Sequence, residues 1–299
     1  PAFIPVSMFK TRKMLSVEQD QVHKVLTSSG TTGQSVSQIF LDAETATLQA
    51  KALQVILTSE LGTERLPMMI IDAKSTVANR DRFSARGAGI LGLMNFGRDH
   101  HFILKDDLSV DMDVVNAFLT KYKGKPFLIF GFTFLVWKTF MLDETLPDID
   151  LSLGALIHSG GWKKLESQSV NNAVFKSELN KRHGLNRFYN FYGMVEQVGS
   201  IFLEGTDGYL YPPKFADVIV RDPKTLRILP PGETGVIQML SLLPRSYPGH
   251  SILTEDMGRV VYVDKGAGGR QGKALEVLGR IPQAELRGCS DVIAGSVQP

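Results

Sequence analysis

Three short runs in this 299-residue chain are apolar at successive positions: Met68-Met69-Ile70-Ile71 before Asp72, Phe127-Leu128-Ile129-Phe130 before Gly131, and Leu153-Gly154-Ala155-Leu156-Ile157 before His158. A strand with one wet face alternates apolar and polar residues. A strand covered on both faces does not, and parallel sheets flanked by helices are where such burial occurs. Helical spacing separates the runs: Val114, Val115, Phe118 and Leu119 within 110–122, and a further segment from Val170 to His183 stopped by Gly184. The run from Gly87 to Gly92 is small and apolar and predicts close packing. The longest apolar run, Phe127 to Trp137, is about half a membrane span, so stable membrane insertion is not expected. It reads as a buried strand pair or as the wall of a ligand pocket. This pattern predicts an α/β fold of mixed layers through about residue 200. From Gly208 to Val263 the texture becomes strands with turn punctuation (216–220, 236–243, 260–263, with Pro230-Pro231-Gly232 between), which predicts a β-rich subdomain. The expected division is 1–204 and 205–299, with 266–270 an exposed loop.

Ligands of open α/β sheets sit beyond the carboxyl ends of the strands, so the loops there carry the functional reading. The most informative is Thr27-Ser28-Ser29-Gly30-Thr31-Thr32-Gly33-Gln34: two glycines, five hydroxyls and no charge. Glycine lets backbone approach a ligand closely, and hydroxyls with free N–H groups can surround an anion. A helix opening just after the loop would add its positive end. The stretch is read as a phosphate loop, against a flexible turn; it lacks the lysine of GxxxxGK[ST]. His158-Ser159-Gly160-Gly161-Trp162 leaves a strand through two glycines, either as a tight turn or as a backbone a flat ligand can approach. In Tyr192-Gly193-Met194-Val195-Glu196-Gln197 the aromatic can stack on a base, and the carboxylate can hold a cation near phosphates. Leu253-Thr254-Glu255-Asp256-Met257-Gly258 and Leu278-Gly279-Arg280-Ile281-Pro282 complete the set. The adjacent His100 and His101 point different ways on regular structure and read as structural. His158 and His250 stay uncommitted.

A net charge of +2 gives no reason to expect nucleic acid as a partner. The single cysteine, Cys289, excludes an internal disulfide and fits a reducing, cytoplasmic setting, and no signal peptide is expected. The chain begins with Pro rather than Met, so an upstream segment is expected.

In this order the motifs resemble those of the adenylate-forming enzymes. The resemblance implies that Thr27, Ser28, Ser29, Gly30, Thr31, Thr32 and Gly33 hold the phosphates of ATP. It implies that Ser159, Gly160 and Gly161 border the adenine, with Tyr192 stacked on it and Gly193 beside it. Glu196 would hold Mg²⁺ and serve catalysis, Asp256 would accept both ribose hydroxyls, and Arg280 would contact ribose or phosphate. Two departures stand out: Val195 replaces the usual Thr and Glu255 the usual Gly. After Arg280 the usual hinge carboxylates are replaced by Pro282 and Gln283, and no lysine lies beyond Lys273. A full C-terminal lid is therefore not expected.

Together with Gly131-Phe132-Thr133-Phe134 and Leu286-Arg287-Gly288-Cys289-Ser290, these motifs are similar to those of the acyl-protein synthetases of LuxE type. That resemblance implies ATP- and Mg²⁺-dependent activation of a fatty acid as acyl-adenylate. It further implies transfer to Cys289 as a thioester, and delivery to an acyl-CoA-reductase-like partner. Arg287 beside Cys289 favours the thiolate. Phe130, Phe132, Phe134 and Trp137, alternating along one strand face, are expected to wall the acyl pocket. Two other readings remain open: an acyl- or aryl-CoA or carrier-protein ligase of the phenylacetate-CoA ligase type, and a non-catalytic nucleotide-binding relative.

Overall fold

The computed structural model describes residues 1–28, 36–78, 85–162 and 169–281. In chain order its strands are β1 Ile4–Pro5, β2 Lys24–Thr27, β3 Gln38–Leu41, β4 Leu66–Ala73, β5 Gly97–Leu104, β6 Phe127–Phe132, β7 Gly154–Ser159, β8 Arg187–Tyr192, β9 Phe202–Glu204, β10 Leu210–Tyr211, β11 Ala216–Arg221, β12 Gly235–Ser241, β13 Ser251–Val263 and β14 Lys273–Arg280. The helices are α1 Met8–Thr11, α2 Ala43–Leu61, α3 Ser75–Ala78, α4 Ala85–Met94, α5 Met112–Lys121, α6 Thr133–Trp137 and α7 Asn172–His183. The chain forms two compact units. Unit 1 comprises Pro1–Val25, Ser35–Leu53 and Met194–Pro299; unit 2 comprises Leu26–Gln34 and Gln54–Gly193. The last change of unit thus lies between Gly193 and Met194 rather than at the expected 204/205.

Unit 2 is built on a parallel sheet in the order β8-β7-β6-β4-β5. Every residue of β4 and of β7 is buried, as their apolar runs 68–71 and 155–157 require, with Asp72, His158 and Ser159 buried at the carboxyl ends. The helical segments form where caps specify them. Asp111 accepts from the Val114 N–H to open α5, Asn171 accepts from the Val174 N–H to open α7, and Gly184 closes α7 at φ 71°. Phe118 of α5 and Phe175 and Leu179 of α7 join Ile129 and Leu156 of the sheet in one core. The run from Phe127 to Trp137 is not a strand pair. It is β6 followed by α6, so Phe130 and Phe132 lie on the strand but Phe134 and Trp137 on the helix. Burial of Leu135, Val136 and Trp137 in the core overrides the β preference of the run. The parallel register brings Phe132, Ser159 and Phe191 level, so β6, β7 and β8 end along one edge.

Unit 1 carries an antiparallel sheet in the order β11-β12-β13-β14-β10-β9, with β1 added in parallel on β13. Its interior includes Ile237, Met239, Ile252 and Leu275, each fully buried. The amino-terminal residues belong to this sheet. Ile4 pairs with Ile252, the Val6 N–H donates to the Leu253 carbonyl at 2.9 Å, and the buried Arg221 guanidinium donates to the Pro1 carbonyl at 2.9 Å. Helix α2 does not open at the end of the hydroxyl-rich stretch. Strand β3 comes first, and α2 starts after Asp42, whose carboxylate accepts from the Thr45 N–H at 2.7 Å. The expected helix start directly after that stretch is therefore replaced by a strand among the described residues.

Candidate functional site

Unit 2 presents its share of the predicted residues at the carboxyl edge of its sheet. Strand β7 ends at Ser159 and the chain leaves through Gly160, whose φ of 87° suits glycine. A Cβ on Gly160 would lie 3.4 Å from the Phe132 ring, whereas one on Gly161 would have no atom within 4 Å. Among the described residues nothing therefore crowds Gly161. Neighbouring β8 ends at Tyr192, half-buried, followed by Gly193. Thr27 closes β2 and Ser28 follows it, both half-buried. Ser29, Gly30, Thr31, Thr32 and Gly33 lie outside the described residues.

His158, just before the glycine turn, is 2 % exposed and stacks near Phe175 with ring centroids 4.7 Å apart. Its Nδ1 lies 3.1 Å from the Thr133 hydroxyl. Burial, reinforced by the Lys176 charge, pulls its pKa down to about 3. It is neutral at physiological pH and serves as a core polar group. His100 Nε2 bonds the Met94 carbonyl at 2.8 Å, and His101 meets Asp99 at 3.3 Å. Among the described residues no group of three or more His, Cys, Asp or Glu forms a metal site.

Unit 1 holds Glu196 in a one-turn helix, Val195–Gln197. Its side chain is buried at 4 % exposure. The turn is fixed from several directions. Tyr247 donates to the Glu196 carbonyl at 2.8 Å and accepts from Gln49 at 3.1 Å. The Gln197 amide reaches the Gly249 carbonyl at 2.7 Å. At Gly199, φ 84°, a Cβ would lie 2.6 Å from the Gln49 carbonyl, so only glycine fits. Burial pushes the Glu196 pKa up, and a hydrogen bond with Ser37 and the nearby Lys10 charge pull it back.

Strands β13 and β14 bring Asp256 and Arg280 into register, with guanidinium and carboxylate 3.9 Å apart. Asp256 is a quarter exposed and Arg280 mostly exposed. Thr254 shapes the approach: its hydroxyl donates to the Ile237 carbonyl at 2.8 Å and accepts from the Asp256 N–H at 3.1 Å. Glu255, in the position expected for glycine, pairs with Lys10 at 2.9 Å. Sequence reading singled out Glu196, Asp256 and Arg280; it did not mark Ser37, Gln49 and Tyr247 around the Glu196 turn or Lys10 beside Glu255. Lys10 lies 245 residues from its partner, and no local pattern marks it. Cys289 lies outside the described residues.

The sequence profile of the family described as acyl-protein synthetase, LuxE, matches residues 1–297. The long-chain-fatty-acid–luciferin-component ligase of Vibrio harveyi is 24 % identical over 310 residues, covering 97 % of this chain and 76 % of that protein. The ligase of the same name from Aliivibrio fischeri is 23 % identical over 315 residues, covering 100 % and 79 %. Among solved structures, 2-hydroxyisobutyryl-CoA ligase with 2-HIB-AMP aligns at TM-score 0.61 and 18 % identity, over 89 % of this chain and 54 % of that one. ATP-bound MatB from Rhodopseudomonas palustris aligns at 0.57 and 16 %, over 89 % and 49 %. The fold is that of these adenylate-forming enzymes, and the chain spans about half the length of each.

Proposed function

Since the chain belongs to the acyl-protein synthetase family of LuxE type, we propose that it activates a long-chain carboxylic acid with ATP and passes the acyl group to Cys289. One carboxylate oxygen of the acid attacks the α-phosphorus of ATP, and pyrophosphate leaves. The mixed anhydride formed has a good leaving group. The Cys289 thiolate then attacks the acyl carbonyl, AMP leaves with the bonding electron pair, and a thioester remains. A thioester is a labile carrier, suited to delivery to a reductase or another acceptor protein in a reducing cytoplasm.

The observation that carries this reading is the pairing of Asp256 with Arg280 on adjacent strands, in the same unit as a buried, anchored Glu196. Asp256 would take both ribose hydroxyls, since a carboxylate accepts from two donors. Arg280 would stand over the nucleotide's negative charge. In unit 2, Tyr192 would stack on adenine, with Ser159, Gly160, Gly161 and Gly193 along its edge. Thr27 to Gly33 would supply hydroxyls and amides to the phosphates. Glu196 fits a Mg²⁺ role: it is a single buried carboxylate, and Mg²⁺ is typically held by one or two carboxylates with substrate phosphates and water. Bound there, Mg²⁺ would offset phosphate charge.

The test is incubation with ATP, Mg²⁺ and labelled long-chain fatty acid, followed by intact mass and hydroxylamine treatment. A hydroxylamine-labile acyl adduct that vanishes in Cys289→Ser, while pyrophosphate release persists, is expected. Pyrophosphate release without an adduct on the native protein would instead identify a ligase whose acceptor thiol lies on another molecule.

A further inference from the structure

Unit 1 contains a cationic recess that the nucleotide motifs leave unexplained. It is an open cavity of about 320 Å³ whose wall includes Lys10, Thr11, Arg12, Lys13, Val36 and Gln38. Three of these are basic and none is acidic. Arg12 is exposed and, among the described residues, has no ion pair. Lys13 lies over the Phe40 ring at 5.5 Å. Lys10 is held by Glu255, whose oxygens lie 2.9 and 3.2 Å from its ammonium. Concave walls of one charge focus the field and concentrate counter-ions, and charge-assisted hydrogen bonds hold phosphate oxygens well.

Two further facts direct the reading. Val36 and Gln38 follow the hydroxyl-rich stretch Thr27–Gln34 in sequence. The Lys10–Glu255 pair stands immediately before Asp256 on β13, and both its charges act on Glu196. The ammonium in the recess wall therefore also acts on the predicted cation carboxylate, and its partner is the chain neighbour of the predicted ribose carboxylate. The pair is partly open to solvent, with Lys10 30 % and Glu255 20 % exposed, so a phosphate oxygen can reach the ammonium and take the place of the carboxylate.

We propose that this recess is an oligophosphate site, in which Lys10, Arg12 and Lys13 receive the phosphate end of a bound nucleotide or the pyrophosphate it releases. Lys10 reaches the ligand by exchanging Glu255 for a phosphate oxygen. The assignment rests on the ATP-dependent activation proposed above, but its test does not need catalysis. Calorimetric titration of the full chain with inorganic tripolyphosphate and with pyrophosphate should show binding that Arg12→Ala and Lys10→Met each weaken about tenfold. Glu255→Gln should tighten binding severalfold by releasing Lys10, an effect that a purely structural pair would not produce. Weakening confined to tripolyphosphate, with a matching rise in the KM for ATP, assigns the recess to the bound nucleotide. Weakening confined to pyrophosphate, seen also as relief of product inhibition, assigns it to the leaving group. Unchanged affinities in Arg12→Ala and Lys13→Ala, or a Glu255→Gln protein that binds as poorly as Lys10→Met, overturn the proposal. A chain that binds tripolyphosphate through Arg12 but never releases pyrophosphate from ATP would keep the recess and sink the activation chemistry. Normal activation with unaltered binding in every variant would do the reverse.

Discussion

Glu196 shows how one residue's surroundings set both activity and stability. Burial raises its pKa in the folded chain above the unfolded value. A raised carboxylate pKa favours folding at acid pH, and that contribution is lost as pH rises through the folded pKa. Glu196→Gln removes the buried charge, so we expect a higher Tm than the native protein near neutrality and no difference below the ordinary glutamate range. Adenylate formation should be lost in the same variant. In the native protein, acyl activation should fall on acidification at a pH above that of an ordinary carboxylate, because only ionised Glu196 holds a cation. A pH–rate profile paired with thermal melts at matched pH checks both statements. Asp256→Ala should raise the KM for ATP by about ten- to a hundredfold, the value of a lost charged hydrogen bond. Gly161→Ala separates fold from ligand at the adenine edge. Among the described residues no atom lies within 4 Å of the added methyl, so stability should change by less than about 0.5 kcal/mol. The KM for ATP should rise all the same, if the nucleotide passes against that backbone.

At the scale of elements, β4, β6 and β7 were legible because residues buried on both faces must all be apolar. Helices α5 and α7 were legible because the 3.6-residue spacing of α5 and the Gly184 stop of α7 are local signals. The turn from β6 into α6 was not. Phe132-Thr133-Phe134-Leu135-Val136-Trp137 favours a strand by composition, and only packing on Phe175 and the sheet makes it helical. The same limit hid the Lys10–Glu255 pair, a contact that follows from β1 lying on β13 and from nothing near either residue. Gly131 tests the β6–α6 junction. A Cβ there would lie 2.9 Å from Val136 Cγ2 and 3.0 Å from Ile71 Cβ. Gly131→Ala should destabilise by about 1–3 kcal/mol, as overpacking does, in denaturant unfolding.

For the whole molecule, the decisive fact is that neither unit is one continuous stretch of chain. A fragment of residues 205–299 lacks β1, β9 and the Glu196 turn, and should give the spectra of an unfolded chain. The stretch from Gln54 to Gly193 contains every strand of the parallel sheet and lies within the usual domain size. It should fold alone, with dispersed amide resonances. The opposite result for either fragment would show that the compact units are not the folding units.

The pairing of β1 with β13 also sets a schedule for biosynthesis. Ile4 leaves the ribosome well before its partner Ile252, with the whole parallel sheet of unit 2 made in between. At about 5–20 residues per second this leaves the first strand waiting for roughly 12–50 s. During that interval β4 to β8 emerge in full and can close their sheet. The segment around Ile4 stays without its strand partner throughout, a natural client for a chaperone on the nascent chain.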